Sequence, residues 1–372
     1  MDIGRAIKWR RAPMWSGMMI LGMVMGGQAV GAEKPHDLVL FTSIEAFDLF
    51  DSSYPELEEY ETRYTADVLY TYSGSRFRAL AEFIASSHEN EMERLQAGWM
   101  IDDRTALWAG RFHSVSKFWT SEFHHGQFLQ NSISRPKLEE WEDEQGPMPS
   151  HITGLWFERK FGSENTAEWS VAAAVGLGPI FDGDRLHALD VLDPESGHKG
   201  AANLSVTFRP EVLSTTQWGF MASWSDIAVD SVLTPGFEGI NSVHQTTAGF
   251  FGDWTGQAWR VMGYAAWFDN ELRYLDRRES DNFVLGYLQV EYSRREDWTL
   301  FGRAEFGPDQ GSSRFLQMLP EFLANRQMLG ARWDFRHNHS LTVEVAQTGR
   351  SGGDPPRVRF RELRFQWSAV FR

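Results

Sequence analysis

Cysteine is absent from all 372 residues, which excludes a disulfide framework, thiolate metal ligands and thiol nucleophiles. Long apolar runs are scarce too. Beyond residue 32 no uncharged apolar stretch reaches the about 20 residues that a spanning helix needs, so a helical membrane protein is excluded. Apolar spacing of the helical kind is hard to find. Cations are in deficit, 36 Lys and Arg against 51 Asp and Glu, and a net charge of −15 gives no reason to expect a nucleic-acid partner.

Aromatics and glycine are plentiful: 16 Trp, 27 Phe and 9 Tyr accompany 33 Gly. Residues 1–32 read as a cleaved secretory signal. Arg5, Lys8, Arg10 and Arg11 precede an uncharged stretch from Met14 to Gly27, which closes on Val30-Gly31-Ala32. An uncleaved anchor fits less well, because that stretch is shorter than a spanning helix. Removal takes away four cations and one anion and leaves a mature chain of net charge −18.

After residue 32 the apolar residues fall on alternate positions, the period of a strand. In 327–336 one face carries Leu329, Ala331, Trp333 and Phe335 and the other Arg332, Asp334 and Arg336. In 298–306 Trp298, Leu300, Gly302, Ala304 and Phe306 oppose Arg303 and Glu305, and 259–267 repeats the arrangement between Trp259 and Trp267. A soluble barrel or sandwich alternates in the same way. The aromatic spacing favours lipid outside: eight residues span about 27 Å of strand. Tilted, that is roughly 20 Å of height, near the apolar band of an outer-membrane barrel between its aromatic girdles.

Sixteen strands are expected, near 38–43, 65–73, 76–85, 92–101, 104–112, 150–161, 166–176, 203–210, 216–226, 244–252, 255–268, 283–293, 296–306, 325–336, 339–348 and 360–371. Connections after odd-numbered strands are long (44–64, 86–91, 113–149, 177–202, 227–243, 269–282, 307–324, 349–359). Those after even-numbered strands are short turns such as Asp102-Asp103 and His337-Asn338. Long external loops and short periplasmic turns are the expected asymmetry of an all-β, antiparallel transmembrane barrel. The chain ends inside an amphipathic strand, with Leu363, Phe365, Trp367, Ala369 and Phe371 on one face.

With its aromatic-ended closing strand, the chain 33–372 resembles the sixteen-stranded general diffusion and phosphate-selective porins of Gram-negative outer membranes. Arg372 after the terminal Phe371 departs from the usual ending. The most sequence-specific part of the likeness is Gly110-Arg111-Phe112-His113, His124-His125-Gly126, Ser134-Arg135-Pro136, Glu139 to Asp143 and Pro149 to Gly154, familiar from porin-like proteins of unassigned substrate. The resemblance implies passive diffusion of small hydrophilic solutes or ions, residence in outer-membrane lipid and commonly a homotrimer. It also implies a third external loop folded back to narrow the channel.

That loop is 113–149, and a barrel of sixteen strands is too wide for its own side chains to fill. His113, Lys117, His124, His125, Arg135, Glu139, Glu140, Glu142, Asp143 and Glu144 are its constriction candidates. Strand phase puts Arg78, Arg94, Arg111, Arg260, Arg303, Arg326, Arg332, Arg336 and Arg364 on the wall, against Asp67, Glu82, Glu158, Glu168, Glu291, Glu305, Asp334 and Glu344. Acids on the loop opposite guanidiniums on the wall would set a transverse field, and rings of charge tune ion preference. With both signs present, cation and anion preference stay open.

Three rival readings remain. His113, His124, His125 and His151 with Glu122 could hold zinc or copper, but no spacing matches an ordered ligand set and adjacent histidines point apart in an extended chain. An enzyme is not expected: Ser114 and Ser116 near His113 lie in no defensible nucleophile motif. No cofactor is expected either, since Gly349–Gly353 precedes Pro355 and Pro356 rather than opening a helix. A surface-binding barrel with a plugged lumen would suit the acidic first loop.

Overall fold

The computed structural model describes residues 35–372 apart from 51–58, 88–89, 124–127, 163–166, 193, 195, 212–213, 321, 323–324 and 352–356. The segment 1–32, read above as a secretory signal, therefore lies outside the described residues. The first strands are β1 (His36–Phe50), β2 (Glu59–Ser73), β3 (Phe77–Ser86), β4 (Asn90–Asp102), β5 (Thr105–His113), β6 (His151–Gly162) and β7 (Glu168–Leu177). A small hairpin, β8 (Ile180–Asp182) and β9 (Arg185–His187), precedes β10 (Gly200–Arg209), β11 (Gln217–Val229), β12 (Ile240–Thr255) and β13 (Trp259–Tyr274). The chain closes with β14 (Arg278–Arg295), β15 (Trp298–Phe306), β16 (Asn325–Arg336), β17 (His339–Ser351) and β18 (Arg357–Phe371).

Sixteen of these eighteen strands form one closed antiparallel wall. Each pairs with its neighbour in sequence, β7 bridges to β10 across the small hairpin, and β18 returns to β1 through a register running from Leu40↔Phe371 to Phe50↔Arg361. Closure leaves no free edge, so the backbone groups of the wall are satisfied within it. The small hairpin is an insertion, its first strand lying parallel to the end of β11 at Ala228↔Ile180. The sixteen wall strands are those expected from the alternation.

Outward and inward faces separate as the alternation requires. Trp259 and Trp267 are 49 % and 44 % exposed, whereas Arg260, Met262, Tyr264 and Ala266 between them are buried. Leu300, Leu329 and Phe365 face outward, while Arg303, Arg326 and Arg332 are buried on the other side. A continuous apolar exterior around a closed ring is a surface for hydrocarbon rather than for water.

The loops differ from expectation in one systematic way. The connection expected over 269–282 is a turn at 275–277, closed by a bond from the Tyr274 N–H to the Arg277 carbonyl, because β13 and β14 continue past the apolar stretch. Beyond Trp267 the outward residues are Asp269, Glu271 and Arg273. The ladder outlasts the lipid band, and above that band an outward side chain need not be apolar.

The interior is two-sided. Along β11 to β14 many inward residues are apolar too, among them Met221, Phe251, Tyr264, Phe268, Leu285 and Tyr287, and they form one cluster with residues from the loops. Strands buried on both faces read as near-continuous apolar runs, as Phe283-Val284-Leu285-Gly286-Tyr287 does. The arc that follows it around the ring, from β16 through β18 to β1, carries a charge ladder across neighbouring strands. Arg326 bridges Glu344 and Glu362 at 3.0 Å each, and Arg364 bridges Glu362 and Glu45 at 3.0 and 2.8 Å.

A row of glycines, Gly110, Gly154 and Gly176, crosses β5, β6 and β7 in register. Gly110 sits at φ 130°, and a Cβ on Gly154 would collide with the Val175 carbonyl, so the strands approach there as no side chain would allow.

Gly263, midway between the two tryptophans of β13, pairs with outward-facing Leu288 of β14. Leu288→Arg should cost about 2–4 kcal/mol of folding free energy, the penalty of a cation at the bilayer midplane. Urea titration of folding into liposomes measures it; an unchanged midpoint would mean that this face does not meet lipid.

Candidate channel constriction

Residues 114–150 leave β5 and re-enter at β6, and of their described members nearly all are buried. The loop is pinned at its root. The Ser114 N–H donates to the Ser150 carbonyl at 2.6 Å, and the Lys117 Nζ donates to the Glu140 carbonyl at 2.5 Å and to Ser150 Oγ at 2.6 Å. A short helix, α1 (Phe118–Phe123), follows, buried inside the barrel.

The helix docks on the apolar arc. Phe118 stacks on Phe251 of β12 with centroids 4.7 Å apart, and Trp119 meets the edge of Tyr287 of β14. Trp119 also donates its indole N–H to Gln130 Oε1 at 2.8 Å, holding the outgoing and returning limbs together. Burying these rings gives the loop an apolar core of its own.

The tip docks on the charged arc through its backbone. Glu344 Oε2 accepts from the N–H groups of Ile133 and Ser134 at 3.0 and 3.2 Å. Arg303 donates to the carbonyls of Ser134 and Arg135, and Arg332 donates to that of Phe128 at 2.8 Å and to that of Gln130. Asn131 reaches Glu291 at 2.7 Å, and the Lys137 N–H reaches Glu305 at 2.5 Å. Hydrogen bonds with one ionised partner are about twice as strong as neutral ones. The polar wall thus holds the loop by its main chain.

The sequence-derived candidates fall into distinct places. Glu139 is fully buried and accepts the Phe118 N–H at 3.1 Å; Glu140 pairs with Lys137 at 3.1 Å; Glu142 turns to His151 at 2.9 Å. Asp143 is half-buried, its carbonyl accepting from Arg185, and Glu144 is exposed. Arg135 lies 3.8 Å above the Trp141 ring. His113 packs against Trp141 and His151. His124 and His125 lie outside the described residues. The five acids of 139–144 therefore do not form one face toward the wall.

Wall arginines are answered largely by wall carboxylates. Arg94 meets Glu82 at 2.6 Å, Arg260 meets Asp253 at 2.5 Å, Arg303 meets Glu305 at 2.8 Å and Arg332 meets Asp334 at 2.9 Å. Arg111 pairs with Glu91 and also donates to the Leu189 carbonyl at 3.2 Å. Arg78 and Arg336 sit at the short-turn end, where Arg78 donates to the Gly74 carbonyl and Arg336 is exposed. Unpaired buried charge is costly, and this pairing removes most of the cost.

A cavity of about 110 Å³ lies between the loop and the wall of β4 to β12. Phe112, Phe118, Trp156, Met221 and Phe251 supply its apolar lining, and Arg94, Gln96, Glu122, Glu158, Thr207 and Gln217 its polar one. Gln96, Thr207 and Gln217 were not among the sequence candidates. Their only sequence signal is inward phase, shared with many neutral wall residues. Glu122, a suggested metal ligand, instead receives a hydrogen bond from Gln217. The donor atoms of Glu93, His113 and His151 do converge, within 4.8 Å of one another.

No protein-family model matches the chain, and no curated protein matches it in sequence. Solved structures do match in fold. The trimer form of OmpT, an outer membrane protein of Vibrio cholerae, superposes with a TM-score of 0.55 at 10% identity, covering 90% of this chain and 99% of that one. The outer membrane channel DcaP of Acinetobacter baumannii gives 0.55 at 9% identity, covering 90% and 97%. An anion-selective porin from Comamonas acidovorans gives 0.55 at 8% identity, covering 90% and 100%. The chain has the porin-like fold of outer-membrane barrels. At these identities the likeness is one of fold.

Inside the loop, burial pushes the Glu139 carboxyl up to about 7, with Lys117 and Arg135 opposing, and pulls the Lys117 ammonium down to about 8. A raised carboxyl keeps its proton in the folded state where the unfolded chain has already released it. Its contribution is full below about 4.5 and is lost as pH rises to about 7, on the order of 3 kcal/mol. Glu139→Gln keeps the acceptor for Phe118 and should flatten that decline. Urea unfolding in detergent at pH 5 and pH 7.5 tests it; the same pH dependence in both proteins would remove Glu139 from the titrating set.

Proposed function

We propose that this protein is an outer-membrane channel for passive diffusion of small hydrophilic solutes or ions, with its aperture set by residues 114–150. The observation that carries the reading is the seating of that loop. It leaves the wall between β5 and β6, where Ser114 bonds to Ser150, and is seated on the stretch of wall from β12 to β17, by Phe251 and Tyr287 and, on the strands that follow, by Arg303 and Glu344. A loop anchored at its root and again across the lumen narrows a barrel too wide for its own side chains to fill. The mixed lining beside it, which includes Arg94, Glu122 and Glu158 among aromatic residues, suits solutes that carry both polar and apolar faces. No chemical step is required of the chain.

The second reading, a surface-binding barrel with a plugged lumen, is favoured by one fact: the loop's described residues are buried almost throughout. Planar-bilayer recording separates the two. Wild type should give discrete conductance steps, and deletion of 128–136 should enlarge them severalfold. Glu122→Gln with Glu158→Gln should move the reversal potential toward anions. Silence in wild type with steps in the deletion variant would establish a plug, and silence in both would sink the channel reading.

A homotrimer is part of the proposal. An apolar groove on the outward face of β1 and β15 to β18, lined by Ile44, Trp298, Trp333, Leu341, Phe365 and Trp367, offers a contact surface, and one structural neighbour is a trimer. Sedimentation in detergent should give three times the protomer mass; a monomer at all concentrations would leave that groove to lipid.

A further inference from the structure

We propose that Glu93, His113 and His151 form a binding site for one divalent transition-metal ion of the zinc type, at the root of the 114–150 loop. His113 ends β5 and His151 begins β6, and the two are direct register partners with ring centroids 5.1 Å apart. Glu93 comes from β4. The donor atoms of the three lie within 4.8 Å of one another, and His151 Nε2 is 2.7 Å from Glu93 Oε2. Tetrahedral zinc bonds of about 2.0–2.2 Å place their donors about 3.3–3.6 Å apart, so the ion would part His151 from Glu93 by somewhat more than half an ångström.

An independent observation points the same way. The pairing of β3 with β4 breaks its register between Glu82↔Arg94 and Phe83↔Met92, so Glu93 is the extra residue of a β-bulge. Strict alternation would turn Glu93 and Arg94 to opposite faces, yet both are buried. Bulges re-aim side chains and cluster beside functional sites. Here the bulge delivers a carboxylate to two histidines.

The surroundings are those of a ligand set rather than of a lone ion pair. Glu142, from the loop, lies 2.9 Å from His151 Nδ1 and fixes that nitrogen as the donor, leaving Nε2 toward Glu93 and the site. This is the carboxylate–histidine arrangement that orients imidazoles on metals. Trp141 stacks on His151 with an interplanar angle of 13° and packs on His113, so both rings are held before any ion arrives. Two imidazoles and one carboxylate, with no thiolate, select zinc, nickel or copper over calcium and magnesium. Entry of the ion displaces the proton between His151 Nε2 and Glu93, and water completes the coordination.

An ion here would join β4, β5 and β6 directly and the loop through Glu142. The proposal does not depend on conduction. Its test is metal uptake by the tag-free, detergent-folded protein, stripped with chelator, dialysed against Zn²⁺ and assayed by elemental analysis, with Co²⁺ as a spectroscopic probe. One Zn²⁺ per chain is expected, with the visible absorption of low-symmetry Co²⁺. His113→Ala and Glu93→Gln should abolish uptake, and Glu142→Gln should weaken it about 10–100-fold at unchanged stoichiometry. His187→Ala, on the small hairpin, should change nothing. Heat-modifiable migration confirms that each variant is folded. Absence of uptake by wild type, or equal uptake by folded His113→Ala and Glu93→Gln proteins, would overturn the site.

Discussion

A ring of sixteen strands encloses more space than its wall residues can fill, and the interior of this protein is organised by that surplus. The chain brings its own loop into that space. Doing so raises a second demand, because an irregular segment brought inside carries backbone N–H and C=O groups that water no longer serves. The charged arc of the wall meets the demand. Glu344 takes two consecutive N–H groups, while Arg303 and Arg332 take the carbonyls on either side. The apolar arc takes the rings.

The charge ladder is better understood through specificity than through stability. Buried ion pairs return little net free energy once desolvation is counted, whereas removing one partner is strongly destabilising. Arg326 and Arg364 each touch two carboxylates, so the ladder is a connected set in which each member fixes the next. A connected set has one arrangement, and that arrangement determines where the loop's main chain finds partners.

The wall was legible in the sequence because a lipid-facing strand must be apolar at every second residue. Leu329, Trp333, Trp259 and Phe365 declare their face wherever they occur. The strand ends were not legible, since Asp269 and Arg273 continue a ladder above the lipid where alternation carries no information. The apolar inner arc was missed for a different reason: the end tryptophans gave the phase of 259–267, but a lumen-facing side was expected to be polar, and Met262, Tyr264 and Ala266 are covered by the loop instead of by water. Within the loop, the residue types announced chemistry but not direction. Glu139 and Glu142 look alike in sequence, yet one turns to the N-terminus of α1 and the other to His151. Glu93 was concealed by the bulge, which breaks the rule used to assign faces.

The docking of the loop also imposes an order of events on biogenesis. Its residues lie in the first half of the chain, but its acceptors lie in the second: the bond from Ser134 to Glu344 spans 210 positions, and the one from Asn131 to Glu291 spans 160. Contacts of such separation form late, because the intervening chain must be closed first. Until β12 to β17 are in place, Phe118, Trp119 and Phe123 have no surface to cover them. Through the earlier stages of folding these rings therefore stand uncovered, and the segment that waits longest for its surroundings is among the most fully enclosed in the finished barrel.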